Sequence, residues 1–298
     1  MMNNENRQSS VRNLALVIVI AVVTSIVVTL VTRGISQGPR ITTEQGVINA
    51  KERVHKTKVI RAAYAIYPPA SIKNPNTGEI SGICVDVLEK AAENLGFKVE
   101  WTEEVPWGNM IAGLQSERYD MIGSAVWANA SRAKGADFSI ALYYNGVGIY
   151  ARANDDRFPN GLASLRAMDE SKLKISVIDG EMSDLIAQTD FPKAQRVGLP
   201  QLSEGSQLLL EVATGKADIT FVQPFTANEY LQANPGSVKN ISPDRPIRVF
   251  PVVYMVKDGE YEFRMMLDVA LEELVNFGFV NRMIEKYAPD DPGLYRVA

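Results

Sequence analysis

Two extended stretches, "ALYYNGVGIYAR" (residues 141–152) and "IRVFPVVYMVK" (residues 247–257), constrain this chain more than any other feature. Both are rich in aromatic and β-branched residues, and each follows a series in which strand and helix patterns alternate. The chain therefore reads as leaving one α/β half, building a second and returning to the first. Two lobes joined by two strands can hinge. The place for a ligand in such a molecule is the cleft between the lobes, at the carboxyl ends of the parallel strands.

The first series opens with "KVIRAAYAIYPPA", a strand that leaves through Pro68 and Pro69 into a loop where "NPNTGE" supplies turn chemistry. "ICVDVLEKAAENLG" places Val85, Leu88, Ala91, Ala92 and Leu95 on one helical face and stops at Gly96, a natural C-cap. "FKVEWTEE" reads as a strand, "WGNMIAGLQSE" as a helix with Met110, Ile111 and Leu114 inward, and "YDMIGSAV" as a third strand. This βαβαβ order is the unit of an open parallel sheet.

The second series begins near residue 173 with the strand "LKISVID", followed by "GEMSDLIAQT", a loop opening a short helix, and the strand "AQRVGL". The helix "SEGSQLLLEVATG" closes at Gly215, "KADITFV" forms a strand and "PFTANEYLQAN" another helix. The last stretch, residues 260–289, is apolar at the helical period and is expected to pack back on the first lobe.

Ahead of this body lies "LALVIVIAVVTSIVVTLVT" (Leu14–Thr32), 19 residues without a charge and long enough to cross a bilayer as a helix. The run exceeds the apolar region of a secretory signal, and its one cleavage candidate, Gly34-Ile35-Ser36, is poor, so it reads as an uncleaved anchor, with a cleaved signal as the alternative. The expected organisation is a short cytoplasmic N-terminus (1–13), the membrane segment (14–32), a polar linker (33–57), lobe 1 (58–148 with 250–298) and lobe 2 (149–249).

Charge and residue counts exclude several classes of function. Removing Arg7, Arg12, Arg33 and Glu5 with the N-terminal segment leaves a net charge of about −6, which nucleic acid would repel and anionic lipid would not attract. The single cysteine, Cys84, forbids an intrachain disulfide. The single histidine, His55, sits in the charged segment Lys51–Lys58, which argues against a His-based metal site or a Ser-His-Asp triad.

Within "YDMIGSAVWANASRAKGADFS", Arg132 appears among alanines with no acid nearer than Asp120 and Asp137. An arginine just beyond a strand's carboxyl end offers a rigid fork of donors that fits a carboxylate in bidentate fashion. The plain alternative is a surface arginine paired with Asp137.

Four pieces in this order and spacing, "YPPASIKNPNTGEISGICVDVLEKAAENLGFKVEW", "WGNMIAGLQSERYDMI", "SRAKGADFS" and "GKADITFVQPFTANEYL", resemble the extracellular solute-binding proteins of bacterial ABC transporters, in the group taking amino acids and related polar solutes. The resemblance covers roughly residues 55–290 and carries no transporter motif or catalytic appendage. It implies a two-lobed, periplasmic-binding-protein-like α/β fold with two hinge strands, here preceded by one transmembrane helix.

The resemblance also implies roles for single residues. Arg132, twelve residues after Asp120, takes the position of the ligand-carboxylate clamp. Tyr67 falls where an aromatic ring often covers the ligand, with packing as its other reading. Ser124 to Trp127, including Ala125, lie on the strand end that meets the ligand's polar head. Trp127 departs from the expected Ser or Thr and reads as a pocket wall or a core ring. Asn129 replaces a common threonine and keeps a hydrogen-bonding side chain. In the second lobe, the amides of Glu181, Met182 and Ser183 open a helix and can receive an anion. Glu181 itself is an unexpected charge, read as solvated. Gln223, five residues after Asp218, stands where an acid usually neutralises a ligand ammonium, which favours an acid without an amine.

The function expected from this reading is binding with lobe closure, by a monomer without cofactor or metal, on the periplasmic or extracellular face. The partners would be a small carboxylate-bearing solute and ABC permease subunits. Two alternatives stand beside it: a periplasmic dehydratase-like enzyme on the same scaffold, with Glu181 as its one candidate general acid, and a tethered sensory module. Residues 1–13 are too short for an output domain, so the sensory reading needs a partner protein.

Overall fold

The structure, a computed structural model, describes residues 49–297 except 290 and 292. The expected cytoplasmic segment, the apolar run and most of the expected linker lie outside the described residues. Among the described residues no helix is long and apolar enough to cross a membrane.

Helix α1 (Ala50–Thr57) is followed by strand β1 (Val59–Tyr64), the hairpin β2 (Ile72–Lys73) and β3 (Ile80–Ser81), helix α2 (Ile83–Asn94), β4 (Lys98–Glu104), α3 (Met110–Gln115) and β5 (Met121–Val126). Short β6 (Ala136–Phe138) and long β7 (Tyr143–Arg152) lead into the second half. There follow α4 (Leu162–Ala167), β8 (Lys174–Ile178), α5 (Met182–Asp190), β9 (Gln195–Leu199), α6 (Gly205–Ala213), β10 (Ile219–Val222), α7 (Pro224–Ala233) and β11 (Val238–Asn240). The chain returns through β12 (Arg248–Lys257) to α8 (Tyr261–Asn276), α9 (Phe279–Tyr287) and β13 (Leu294–Tyr295).

The strand order β4-β1-β5-β12-β7-β10-β8-β9 places the two crossover strands side by side in the middle. They pair antiparallel from Tyr143 opposite Val252 to Val147 opposite Arg248. Beyond that ribbon they diverge: Val253, Met255 and Val256 of β12 pair with β5, while Gly148 to Ala151 of β7 pair with β10. Each long strand thus belongs to both halves, and the short ribbon between them, which β13 also joins, is where the strands can bend as the halves rotate. On either side the remaining pairs, β1 with β4 and β5, and β8 with β9 and β10, are parallel.

Parallel strands are buried on both faces, so each half carries two cores. In the first half, Leu88 and Ala91 of α2 meet Phe263, Leu267 and Leu271 of α8 on one face of the sheet. On the other face Met110 and Leu114, four residues apart on α3, pack with Tyr119, Ile122 and Met255. Tyr119 donates its hydroxyl to the Met110 carbonyl at 2.8 Å. A Cβ on Gly113 would stand 1.9 Å from that hydroxyl oxygen, so the helix can pass there only as glycine. In the second half Ile186 and Ala187 of α5 cover one face and Leu208, Leu209 and Val212 of α6 the other. Cys84 is buried at 3.9 Å from the Tyr143 hydroxyl, and burial pushes its thiol up to about 12. It is an inert core residue at neutral pH.

Three segments differ from the sequence reading. The last part of the expected linker is helix α1, capped by Asn49, whose side chain accepts from the Glu52 amide at 2.8 Å. Val54 is fully buried there, His55 meets the Phe97 ring edge-on at 5.3 Å, and the Ala50 amide donates to Glu260 at 2.9 Å. Two apolar residues in a short, highly charged segment are too few to show a period, and the helix is fixed by tertiary contacts. The C-terminal helical stretch is broken into α8 and α9 at Gly278, whose φ of 70° ends the first helix. Helix α4, between the crossover and β8, was unmarked by any periodicity.

Candidate functional site

A cavity of about 910 Å³ lies between the two halves. Its walls come from the carboxyl ends of β1, β4 and β5 on one side and of β8 and β10 on the other. Backbone there turns away from the sheet, which leaves side chains and unpaired amides facing a shared crevice.

Arg132 begins a single 3₁₀ turn (Arg132–Lys134) just past β5. Asn129 sets that turn, since its side-chain oxygen accepts from the Arg132 amide at 2.9 Å. Asn129 does not line the cavity, and its contact positions the arginine. The Arg132 side chain is only 11% exposed. Its Nη1 donates to the Trp127 carbonyl at 3.1 Å, which holds the guanidinium plane against the strand end. Its Nη2 crosses the cleft and donates to both oxygens of Glu181, at 3.0 and 3.1 Å.

Glu181 caps the start of α5 and sends its own amide back to the Ile178 carbonyl at 3.0 Å. Its carboxyl is therefore a half-buried partner of Arg132 and not the solvated charge read from sequence. Burial pushes that carboxyl above the usual carboxylate range, and the Arg132 guanidinium opposes the rise. Asp120 and Asp137, the acids nearest to Arg132 in sequence, are engaged elsewhere. Asp120 binds Arg53 and Arg61, and Asp137 accepts from the Gly259 amide at 3.0 Å.

Met182 and Ser183 follow at the first turn of α5, where no preceding helical carbonyl can accept from their amides. Both line the cavity and are buried, and the Ser183 hydroxyl is used internally, accepting from the Ile178 amide at 3.0 Å. Gln223 caps α7 from the end of β10, with Pro224 in the first helical position. It lies beside Tyr67 from the opposite half. Burial drives the Tyr67 hydroxyl far above the ordinary phenol range, and the Gln223 side chain pulls it back. Tyr67 also meets Trp107 edge-on at 5.6 Å.

Ala125 and Trp127 line the cavity from β5 and the residue following it. Trp127 stacks on Phe250 at 5.1 Å, packs against cores of both halves, and keeps its indole Nε1 buried without a hydrogen-bond partner among the described residues. The ring is both core and cleft wall, so the two sequence readings describe one residue. Seven of the eight residues expected to form the site thus border the cavity, and Asn129 supports one of them.

Sequence reasoning missed Trp107, Tyr230, Glu104, Glu204 and Glu229, which also line the cavity. Trp107 could have been found, because it follows β4 at the same sheet end as Tyr67 and Trp127. The others sit on helices or loops whose facing depends on how the halves meet. Among the described residues Arg132 is the one basic residue lining the cavity, against Glu104, Glu181, Glu204 and Glu229. Glu104 is paired with Lys73 at 2.9 Å.

The chain is similar to known proteins in sequence and in fold. The chain is 26% identical over 236 residues to a probable amino-acid ABC transporter-binding protein of Haemophilus influenzae, covering 78% of this chain and 85% of that protein. Among solved structures it resembles an ancestral amino acid-binding protein described as a precursor of cyclohexadienyl dehydratase, with a TM-score of 0.64 at 22% identity, covering 80% and 99% of the two chains. A histidine kinase sensor domain with similarity to periplasmic binding proteins matches with a TM-score of 0.64 at 22% identity, covering 80% and 98%. These two structures share the two-lobed fold with this chain, and at that identity they speak for the fold alone. The family model matches residues 60–290, and the chain belongs to the bacterial extracellular solute-binding proteins, family 3.

Proposed function

We propose that this protein is the extracytoplasmic binding component of an ABC transporter, which closes its lobes on a small carboxylate-bearing solute, an amino acid or related organic acid, and presents it to permease subunits. The observation that carries this reading is Arg132, a largely buried guanidinium held by the Trp127 carbonyl and reaching across the cleft. A carboxylate bound there would meet the Arg132 fork on one side and the amides of Met182 and Ser183 on the other. Trp127 and Tyr67 supply ring faces, Ala125 leaves room beside them, and Gln223 offers a neutral amide. The moving bodies are residues 58–148 with 250–298 and residues 149–249, acting in a monomer. The apolar run 14–32 tethers them to the outer face of the membrane.

A thermal-shift screen of the full chain against amino acids, dicarboxylates, aromatic acids and quaternary amines tests this. Binding at a hundredfold excess over Kd adds about 2.7 kcal/mol of stability, on the order of 5–10 °C for a body of this size. A carboxylate-bearing solute is expected to give that shift. Shifts by quaternary amines alone, or by nothing in the panel, would remove the reading.

The raised carboxyl of Glu181 favours one second reading, an enzyme of dehydratase type using it as general acid. The contact of both its oxygens with one Arg132 nitrogen opposes that role, because the guanidinium stabilises the ionised form. Chromatography of the bound acid after long incubation separates the two, since a binder returns it unchanged.

A further inference from the structure

We propose that Glu181 is a specificity-determining residue of this site, the negative charge that selects solutes carrying a cationic group beside the carboxylate. The inference rests on the carboxylate reading of the cavity and adds the residue that sets charge selectivity.

Arg132 and Glu181 stand on opposite walls of the cleft, and one nitrogen of Arg132 contacts both Glu181 oxygens. Their side chains are 11% and 25% exposed, so neither charge is well solvated if its partner is lost. An acid without an amine reaches Arg132 either by displacing Glu181, which leaves a poorly solvated carboxylate facing the incoming one, or beside Glu181, which puts two carboxylates on one guanidinium. A solute with both charges exchanges partners instead. Its carboxylate takes Arg132, its ammonium takes Glu181, and each protein charge ends with one opposite charge, as it began.

The other lining groups do not offer this exchange. Gln223 is neutral and lies against Tyr67. Glu104 is held by Lys73, and Glu204 is exposed and occupied in the capping box at the start of α6 with Gln207. Glu229 is exposed on α7. With Arg132 as the one basic lining side chain among the described residues, the lining carries excess negative charge, which also disfavours a bare anion. The reading of Gln223 as a sign of an amine-free ligand therefore gives way: the missing charge stands at residue 181.

The test uses the full-length protein, titrated calorimetrically with the twenty common α-amino acids, and then with the best binder and its des-amino analogue, the same acid with hydrogen in place of the amine. Wild type is expected to prefer the amino acid. Glu181→Gln is expected to cut that preference by about tenfold or more, with the des-amino acid binding more tightly once Arg132 has lost its competitor. Glu181→Asp keeps the charge and is expected to keep the preference, and melting curves of both variants establish that they fold. An unchanged preference in Glu181→Gln, or equal wild-type binding of the two probes, would overturn this inference alone. Failure of wild type to bind any carboxylate-bearing solute would overturn it together with the proposed function.

Discussion

Replacing Arg132 with alanine is expected to weaken solute binding by about 30-fold or more while the protein stays folded. The magnitude follows from truncating one side of a desolvated, charge-assisted pair, which costs about 2 to 5 kcal/mol. The fold should survive because Arg132 belongs to a single 3₁₀ turn outside the sheet, and its turn is set by the Asn129 side chain through backbone contact. What the variant loses in the free protein is the donor to the Trp127 carbonyl and the partner of Glu181. The Glu181 carboxyl, already pushed up by burial, then lacks the guanidinium that restrains it. Calorimetry on the variant with the best solute, beside its melting curve, measures both halves of the expectation. Unchanged affinity in a folded variant would leave Arg132 no role beyond its internal pair with Glu181.

Asp120→Ala is expected to act the other way, on stability and not on affinity, with a loss of about 3–5 kcal/mol in denaturant titration. The Asp120 side chain is 3% exposed and collects three partners. One oxygen takes the Arg61 guanidinium at 2.8 Å, and the other takes the Arg61 amide at 2.7 Å. Arg53 of α1 also pairs with this carboxylate. One buried charge therefore ties β1, the start of β5 and helix α1 together. Removing it strands the Arg61 amide and takes a buried partner from two half-buried arginines, which leaves Glu117 as an acid whose carboxyl still feels both charges. Asp120→Asn, which keeps an acceptor for the amide, should fall between wild type and alanine. A change below about 1 kcal/mol in the alanine variant would mean that water replaces the carboxylate at little cost.

Much of this was legible in the sequence, for definite physical reasons. The strands and helices of both halves show clear apolar patterns because each is buried on a whole face, as in α2 and β8. Arg132 stood out because local acids were too far away in sequence to explain it, and indeed Asp120 and Asp137 serve other partners. Glu181 was misjudged for the reverse reason. A carboxylate at a helix start looks solvated, and its partner lies on the other half of the molecule. Helix α1 was hidden because its burial depends on α8, more than 200 residues away in the chain, through Glu260 and Glu262. Asn129 was legible in one sense only: an Asn three residues before Arg132 is a local acceptor, and it serves the turn.

In the proposed mode of binding, Arg132 exchanges an internal carboxylate, that of Glu181, for one brought by the solute. A crystal structure of the protein with its best-binding solute tests this directly. The expected result is the solute carboxylate on the Arg132 guanidinium, within hydrogen-bonding distance of the Met182 and Ser183 amides, with Glu181 turned from Arg132 toward the solute's cationic group. A solute bound with the Arg132–Glu181 pair intact, or bound outside the cleft, would contradict the account.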